Sequence, residues 1–252
     1  MNLDIVDLRE FYLNALGQVV RRVLRRRVRQ IWPSVKDETV LTLGYGMPLL
    51  RPWLGEADAL LAMMPGEQGV VYWPREGPNS ACMADVNNLP LPDESVDRVV
   101  LVHIMETAVD ADALLREVWR VLKGNGRALV IVPNRRGLWA HSDRTPFGVG
   151  RPYSAFQLKD TLRDHGFLAD RSWCALFLPP SSWRLTLRLA EAIERVAAWL
   201  FPGFGGVVIV EAGKQVYAPI LTKSRFMSRR VVLPLPFPVP SGPVTTGRVG
   251  GL

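Results

Sequence analysis

The segment His103-Ile-Met-Glu106 holds two side chains able to handle protons. Imidazole titrates near neutral pH, so His103 is a candidate base, and Glu106 is the other; each can equally be a lining residue of a pocket. A second candidate is the turn Gly44-Tyr45-Gly46, whose glycines allow close backbone approach to a ligand or simply a sharp reversal. Asp85, just before Val86-Asn87-Asn88, offers a carboxylate that either accepts hydrogen bonds from a ligand or caps a turn. A fourth is the long stretch after Val132, which mixes rings and charges (Trp139, His141, Asp143, Arg144, Tyr153) in the manner of a substrate wall, a lid or a surface loop. No residues are spaced as a metal site, and Cys82 and Cys174 make neither a disulfide framework nor a ligand set.

These residues need elements to hold them, and residues 89 to 132 read as one strand, helix, strand unit. Val99 to Val102 is short, apolar and β-branched, as a strand covered on both faces should be. Leu114, Leu115, Val118, Trp119 and Leu122 recur at helical spacing, with Asp110 or Asp112 as cap and Gly124 at the expected left-handed end. Ala128 to Val132 is the next buried strand. Parallel strands joined by a crossover helix place ligands at their carboxyl ends, where His103 and Glu106 fall. Further strands are expected at Val40 to Leu43, Ala59 to Met64, Ala81 to Asp85, Phe167 to Leu178 and Val207 to Ala212. The last of these closes the sheet in the antiparallel sense, and Gly213-Lys214 could turn into a hairpin with Gln215 to Leu221. Pro48 starts a short helix that Pro52 ends; Ser154 caps a helix that runs through His165 and is ended by Gly166; Ser181 or Ser182 begins another.

Leu89-Pro-Leu-Pro-Asp-Glu-Ser-Val-Asp, followed by Leu-Leu-Arg-Glu-Val-Trp-Arg-Val-Leu-Lys-Gly-Asn-Gly-Arg127, resembles the class I S-adenosylmethionine-dependent methyltransferases of type 11 over roughly residues 38 to 134. The resemblance implies a doubly wound, Rossmann-like α/β fold with a mostly parallel seven-stranded sheet and an antiparallel last strand. It implies S-adenosylmethionine as cofactor, with Gly44, Tyr45 and Gly46 at the methionine portion, Asp85 accepting from the adenine amino group, the Val86 backbone at the ring, and His103 lining the pocket. Several positions depart from the family pattern: Thr42 replaces an acid, Pro48 a glycine, and Met63 or Met64 the carboxylate that takes the ribose hydroxyls. A lost hydrogen bond to a charged acceptor costs about 1.5–3 kcal/mol, unless Glu67 or Glu76 reaches in from the following loop. Two functions are therefore expected as alternatives: methyl transfer to a small-molecule or lipid-like acceptor, or a non-catalytic binding module whose cofactor site has decayed. No amide-positioning motif such as Asn-Pro-Pro-Tyr follows the fourth strand, which argues against amino methylation of nucleic acid bases.

The net charge of +7 belongs to the chain ends. Residues 1 to 32 carry +4 and residues 223 to 252 carry +5, leaving −2 for the body, so sequence-specific DNA binding is not expected. The organisation expected is a basic amphipathic helix within 1 to 33, a methyltransferase-like domain from 34 to 222, and a Pro-rich disordered tail from 223 to 252. The helix is expected to run unbroken from residue 5 to 32. Six of its arginines (Arg21, Arg22, Arg25, Arg26, Arg27, Arg29) could touch anionic membrane or RNA, or simply lie in water. With no apolar run of spanning length and two unpaired cysteines, a cytoplasmic location is expected.

Overall fold

The computed structural model describes residues 3–215, so the tail and most of the expected hairpin partner lie outside the described residues. Seven strands form one sheet in the order β3-β2-β1-β4-β5-β7-β6. They are β1 (Thr39–Gly44), β2 (Ala59–Met64), β3 (Ala81–Met83), β4 (Val96–Val102), β5 (Leu122–Pro133), β6 (Phe167–Ala175) and β7 (Val207–Lys214). The pairs among β1 to β5 are parallel, whereas β7 runs antiparallel to both β5 and β6, as the Rossmann-like expectation has it. Register brings the chemistry to one edge. Gly44 stands beside Val102, Leu43 beside Met63 and Met64 beside Met83, so the segments after β1, β2, β3 and β4 emerge side by side.

Alternation along the buried strands supplies a core on each face. Leu129 and Ile131 pack with helices α1 (Ile5–Leu13), α2 (Ala15–Ile31) and α3 (Met47–Leu50). Ala128, Val130 and Val132 pack with α4 (Ala111–Val121) and α5 (Ala155–Asp164). Asp110 caps α4 by accepting from Ala113 N, and Ser154 closes a capping box with Gln157 on α5. Two short helices, α6 (Arg184–Arg188) and α7 (Ala190–Leu200), follow β6. They begin after Trp183 rather than at Ser181 or Ser182, and along α7 Ala190 is the buried residue. None of the described helices is long and apolar enough to cross a membrane.

Three local expectations are corrected. The amino-terminal helix is broken at Asn14, which ends α1 and, through its side chain on Gly17 N, caps α2. Asparagine competes for backbone donors in this way, and the apolar stripe alone could not reveal it. Gly124 does not end α4; the chain passes from Val121 straight into β5, and Gly124 is a residue of that strand. Gly213-Lys214 makes no turn. β7 continues through it because Lys214 is buried, its ammonium 4.1 Å over the Trp119 ring, 2.7 Å from Leu122 O and 3.0 Å from Glu94.

The break between α1 and α2 needs a glycine. A Cβ at Gly17 would stand 1.9 Å from Phe11 O. We expect Gly17→Ala to cost about 1–3 kcal/mol by overpacking. Gly213→Ala, with nothing within 4 Å of its added carbon, should melt as the parent does. Thermal unfolding of the pair checks this, and equal midpoints would mean the crossing is not tight.

Candidate functional site

At the carboxyl edge, β4 ends and the chain turns sharply through His103, a non-glycine residue at φ 55°. Left-handed backbone at such a residue is strained, and strain of this kind gathers where side chains must be aimed. The His103 imidazole is only 1% exposed, and Tyr12 of α1 donates its hydroxyl to Nε2 at 2.9 Å. Burial, with smaller contributions from Tyr45 and Glu106, pushes the Tyr12 phenol far above its ordinary value, so it stays protonated. The Glu106 carboxyl beside Nδ1 favours the tautomer with its hydrogen there, which leaves the lone pair on Nε2 for the Tyr12 hydroxyl. Nδ1 faces Glu106 Oε1 at 3.3 Å without hydrogen-bond alignment.

The surroundings are unusual in what they leave unpaired. Both Glu106 carboxylate oxygens, His103 Nδ1 and Gln68 Oε1 are buried without a hydrogen-bond partner, while Gln68 Nε2 donates to His103 O at 3.1 Å. Trp53 Nε1 is the one other such side-chain atom among the described residues. Unsatisfied buried groups cost about 1–3 kcal/mol each, so their concentration marks a place adapted to an occupant rather than to packing. Rings close over it: Phe147 lies 4.8 Å from His103, Tyr45 5.6 Å from Tyr12, and Phe11 6.3 Å from Phe147.

The helix α1 divides the edge in two. On the β2 and β3 side is a cavity of about 1020 Å³ lined by Asp85, Val86, Glu67, Gln68, Ile104 and Thr107. On the far side of α1 is a second, of about 660 Å³, to which Tyr12 and Tyr45 belong. His103, Glu106, Gly44 and Gly46 open on neither. The expected cofactor residues are thus neighbours along one edge but do not share one open hollow. Asp85 is in the first cavity, with Oδ1 also accepting from Asn87 N at 2.9 Å, so it serves the turn and faces the space together. Gly44 and Gly46 are needed by the chain itself: a Cβ would meet Val102 O at 2.3 Å and Thr42 Oγ1 at 1.9 Å. The first cavity has polar groups of the kind an adenosine takes, the carboxylates of Asp85 and of Glu67, three residues past β2, beside Val86; the region near Gly44 is covered by α1.

The expected substrate wall is placed differently. Trp139 is fully buried and donates to Leu178 O at 2.7 Å, so it is core. His141, Asp143 and Arg144 are exposed, and His141 Nδ1 lies 3.1 Å from Gly137 O. Tyr153 is half-buried, and its phenol is pushed up by burial and by Glu106 nearby. Sequence reasoning missed Tyr12, Gln68 and Phe147; for Tyr12, the one available signal was a polar-tipped ring on the apolar stripe of the first helix. The six arginines likewise do not share a face. Arg21 and Arg25 line the second cavity, Arg22, Arg26 and Arg27 line a third with Glu191 and Glu194, and Arg29 pairs with Glu56 at 2.7 Å. Cys82 and Cys174 are free, and no metal-binding group of His, Cys, Asp or Glu occurs among the described residues.

Sheet order and edge geometry define a Rossmann-like fold of the methyltransferase kind. Residues 60–130 match the family model of a methyltransferase domain. Two probable S-adenosylmethionine-dependent methyltransferases of Mycobacterium tuberculosis, from strains CDC 1551 / Oshkosh and ATCC 25618 / H37Rv, are each 35% identical over 140 residues. That is 54% of this chain and 49% of theirs, so the chain spans about half the length of the curated relatives it matches. A methyltransferase of Thermotoga maritima, described as a possible histamine N-methyltransferase, is 19% identical with a TM-score of 0.59, covering 82% of this chain and 94% of that one. A chain from the Haloferax volcanii complex of the Trm112 methyltransferase activator and a methyltransferase gives 17% and 0.62, covering 84% and 98%. These two structures share the fold.

The Tyr12 phenol gives a testable pH dependence. Its folded value lies above its unfolded one, so the unfolded chain loses this proton first as pH rises past about 10, and stability then falls. Tyr12→Phe should cost about 1–3 kcal/mol at neutral pH by orphaning His103 Nε2. It should also flatten, without abolishing, the alkaline arm, because Tyr45 is raised too. Denaturant unfolding between pH 7 and 12 checks both; an unchanged alkaline arm would refute the assignment.

Proposed function

We propose that this chain transfers the methyl group of S-adenosylmethionine to a small-molecule or lipid-like acceptor, and that its cofactor site is completed when α1 lifts from the carboxyl edge. The observation that carries the reading is Asp85, which follows β3 inside the segment matching the methyltransferase domain and lines the larger edge cavity. The cofactor, when bound, supplies a methyl already activated on a sulfonium, so the residues have mainly to align and to move a proton. Asp85 holds the adenine amino group, the Val86 backbone meets the ring, and Glu67 stands in for the ribose acid that Met63 and Met64 cannot supply. Once Tyr12 withdraws, the lone pair on His103 Nε2 is free to take a proton from the acceptor, and Glu106 faces the opposite ring nitrogen. A decayed cofactor site is the less favoured reading, because the domain match runs through Asp85 and His103.

Calorimetry with S-adenosylhomocysteine tests this. Binding should weaken roughly tenfold to a hundredfold in Asp85→Ala, the worth of about 1.5–3 kcal/mol. Tyr12→Phe should bind more tightly than the parent, since the closed form that excludes ligand is destabilised. Amides of α1 should lose hydrogen-exchange protection when ligand is added. No binding at millimolar ligand by folded protein would remove the transferase reading.

A further inference from the structure

The cavity of about 660 Å³ beside α1 has no assigned role, and its charge is one-sided. Five arginines from four parts of the chain line it: Arg9 on α1, Arg21 and Arg25 on α2, Arg51 just after α3, and Arg75 from the loop between β2 and β3. The one carboxylate among the lining residues is Glu76. Among the described residues none of the five arginines is in an ion pair, whereas Arg29, one turn beyond Arg25 on α2, pairs with Glu56. Arg25 is tied to the chain, its Nε donating to Pro48 O. Burial first, then the neighbouring charges of Arg21 and Arg51, lowers it to about 10, so it is still charged at neutral pH.

Like charges held together without a counterion repel, and Arg25 registers that repulsion from two neighbours. Guanidinium forks match phosphate oxygens two at a time, which lysines would not. The remaining wall is apolar and aromatic, from Tyr45, Tyr72, Trp73 and Val71. Anion-matching forks next to flat apolar surface suit a ligand with a phosphorylated end and an organic body. Position supplies the last step: Tyr12 lines this cavity while its hydroxyl is bonded to His103, and Tyr45 belongs to the turn after β1. The Tyr12 side chain thus reaches from the cavity wall to the candidate base.

We infer that the arginine-lined cavity binds the phosphate or diphosphate group of the methyl acceptor, an inference that rests on the transferase reading for the word acceptor. The full chain is titrated with inorganic pyrophosphate at low ionic strength and, separately, with S-adenosylhomocysteine. Saturable pyrophosphate binding is expected, weakened roughly tenfold or more in Arg51→Ala and in Arg75→Ala. It should be unchanged in Arg22→Ala, which lies on the other cavity of α2. Displacement of pyrophosphate by soluble dihexanoyl phosphatidic acid would assign a lipid phosphate, and displacement by glucose 1-phosphate a soluble phosphate ester. No saturable pyrophosphate binding, or equal binding by the parent and both cavity variants, overturns the inference even if S-adenosylhomocysteine binds. Pyrophosphate bound by a protein that does not bind S-adenosylhomocysteine overturns the acceptor assignment together with the transferase reading.

Discussion

The hydrogen bond from the Tyr12 hydroxyl to His103 Nε2 governs the carboxyl edge of this molecule. Both partners are almost wholly out of water, so neither can leave without an unpaired buried group on the other side, worth about 1–3 kcal/mol. That single contact sets the roll of α1, and the roll of α1 sets everything above the sheet. It puts Leu8, Phe11 and Tyr12 in the core, brings Phe11 against Phe147, and separates the space by Asp85 from the space by Tyr45. A partner able to replace Tyr12 as donor to Nε2 removes the penalty, and a hydroxyl-bearing acceptor is such a partner. The bond is therefore both a seal and a template for what breaks it.

The two ends of the sheet are built on opposite terms. At the amino end charged groups are met in full: Arg98 is bidentate to Glu38 at 2.8 and 2.7 Å and stacks on Trp32. The buried Glu211 accepts from Trp32 Nε1 at 2.9 Å and pairs with Arg127 at 3.2 Å, and Lys123 pairs with Asp97 at 2.7 Å. At the carboxyl end Glu106 and His103 are buried and under-satisfied, and the backbone at His103 is strained. Parallel strands enforce this polarity, because all five of the first strands deliver their following segments to one edge. Stability is concentrated at one end, which lets the other hold groups in a costly arrangement.

How much of this could be read from the residues follows from what each signal depends on. The strands and crossover units were legible because burial on both faces demands unbroken apolar runs, and β2 runs over Ala59–Met64 as its pattern says. Caps at Asp110 and Ser154 were legible because they are local. The break at Asn14 was not, since an apolar stripe continues through it and only the packing of α1 on α2 distinguishes one helix from two. The stretch from Pro133 to Tyr153 misled for a related reason. Trp139 looks like part of a binding wall in a loop without period, yet a large ring is also how an irregular segment anchors itself, and here it went inward, as Phe147 did. Tyr12 was hidden by its own distance in sequence, 91 residues from its partner.

The departures from the family pattern become intelligible once the packing is seen. Thr42 lies wholly buried, its hydroxyl donating to Val100 O at 3.1 Å, and a carbon on Gly46 would touch that hydroxyl. An aspartate there would carry a charge into the sheet with no donor beyond the turn itself, a burial that costs several kcal/mol. Met63 and Met64 are equally enclosed at the end of β2, which leaves the next carboxylate, Glu67, to face the cavity that Asp85 also lines. The carboxylates that face this cavity therefore stand past the packed strand ends, Glu67 after β2 and Asp85 after β3. A site rearranged in this direction relies on loop order rather than on the rigid sheet. Under the transferase proposal, the covering helix and whatever displaces its tyrosine would be the larger determinant of when the edge is ready to act.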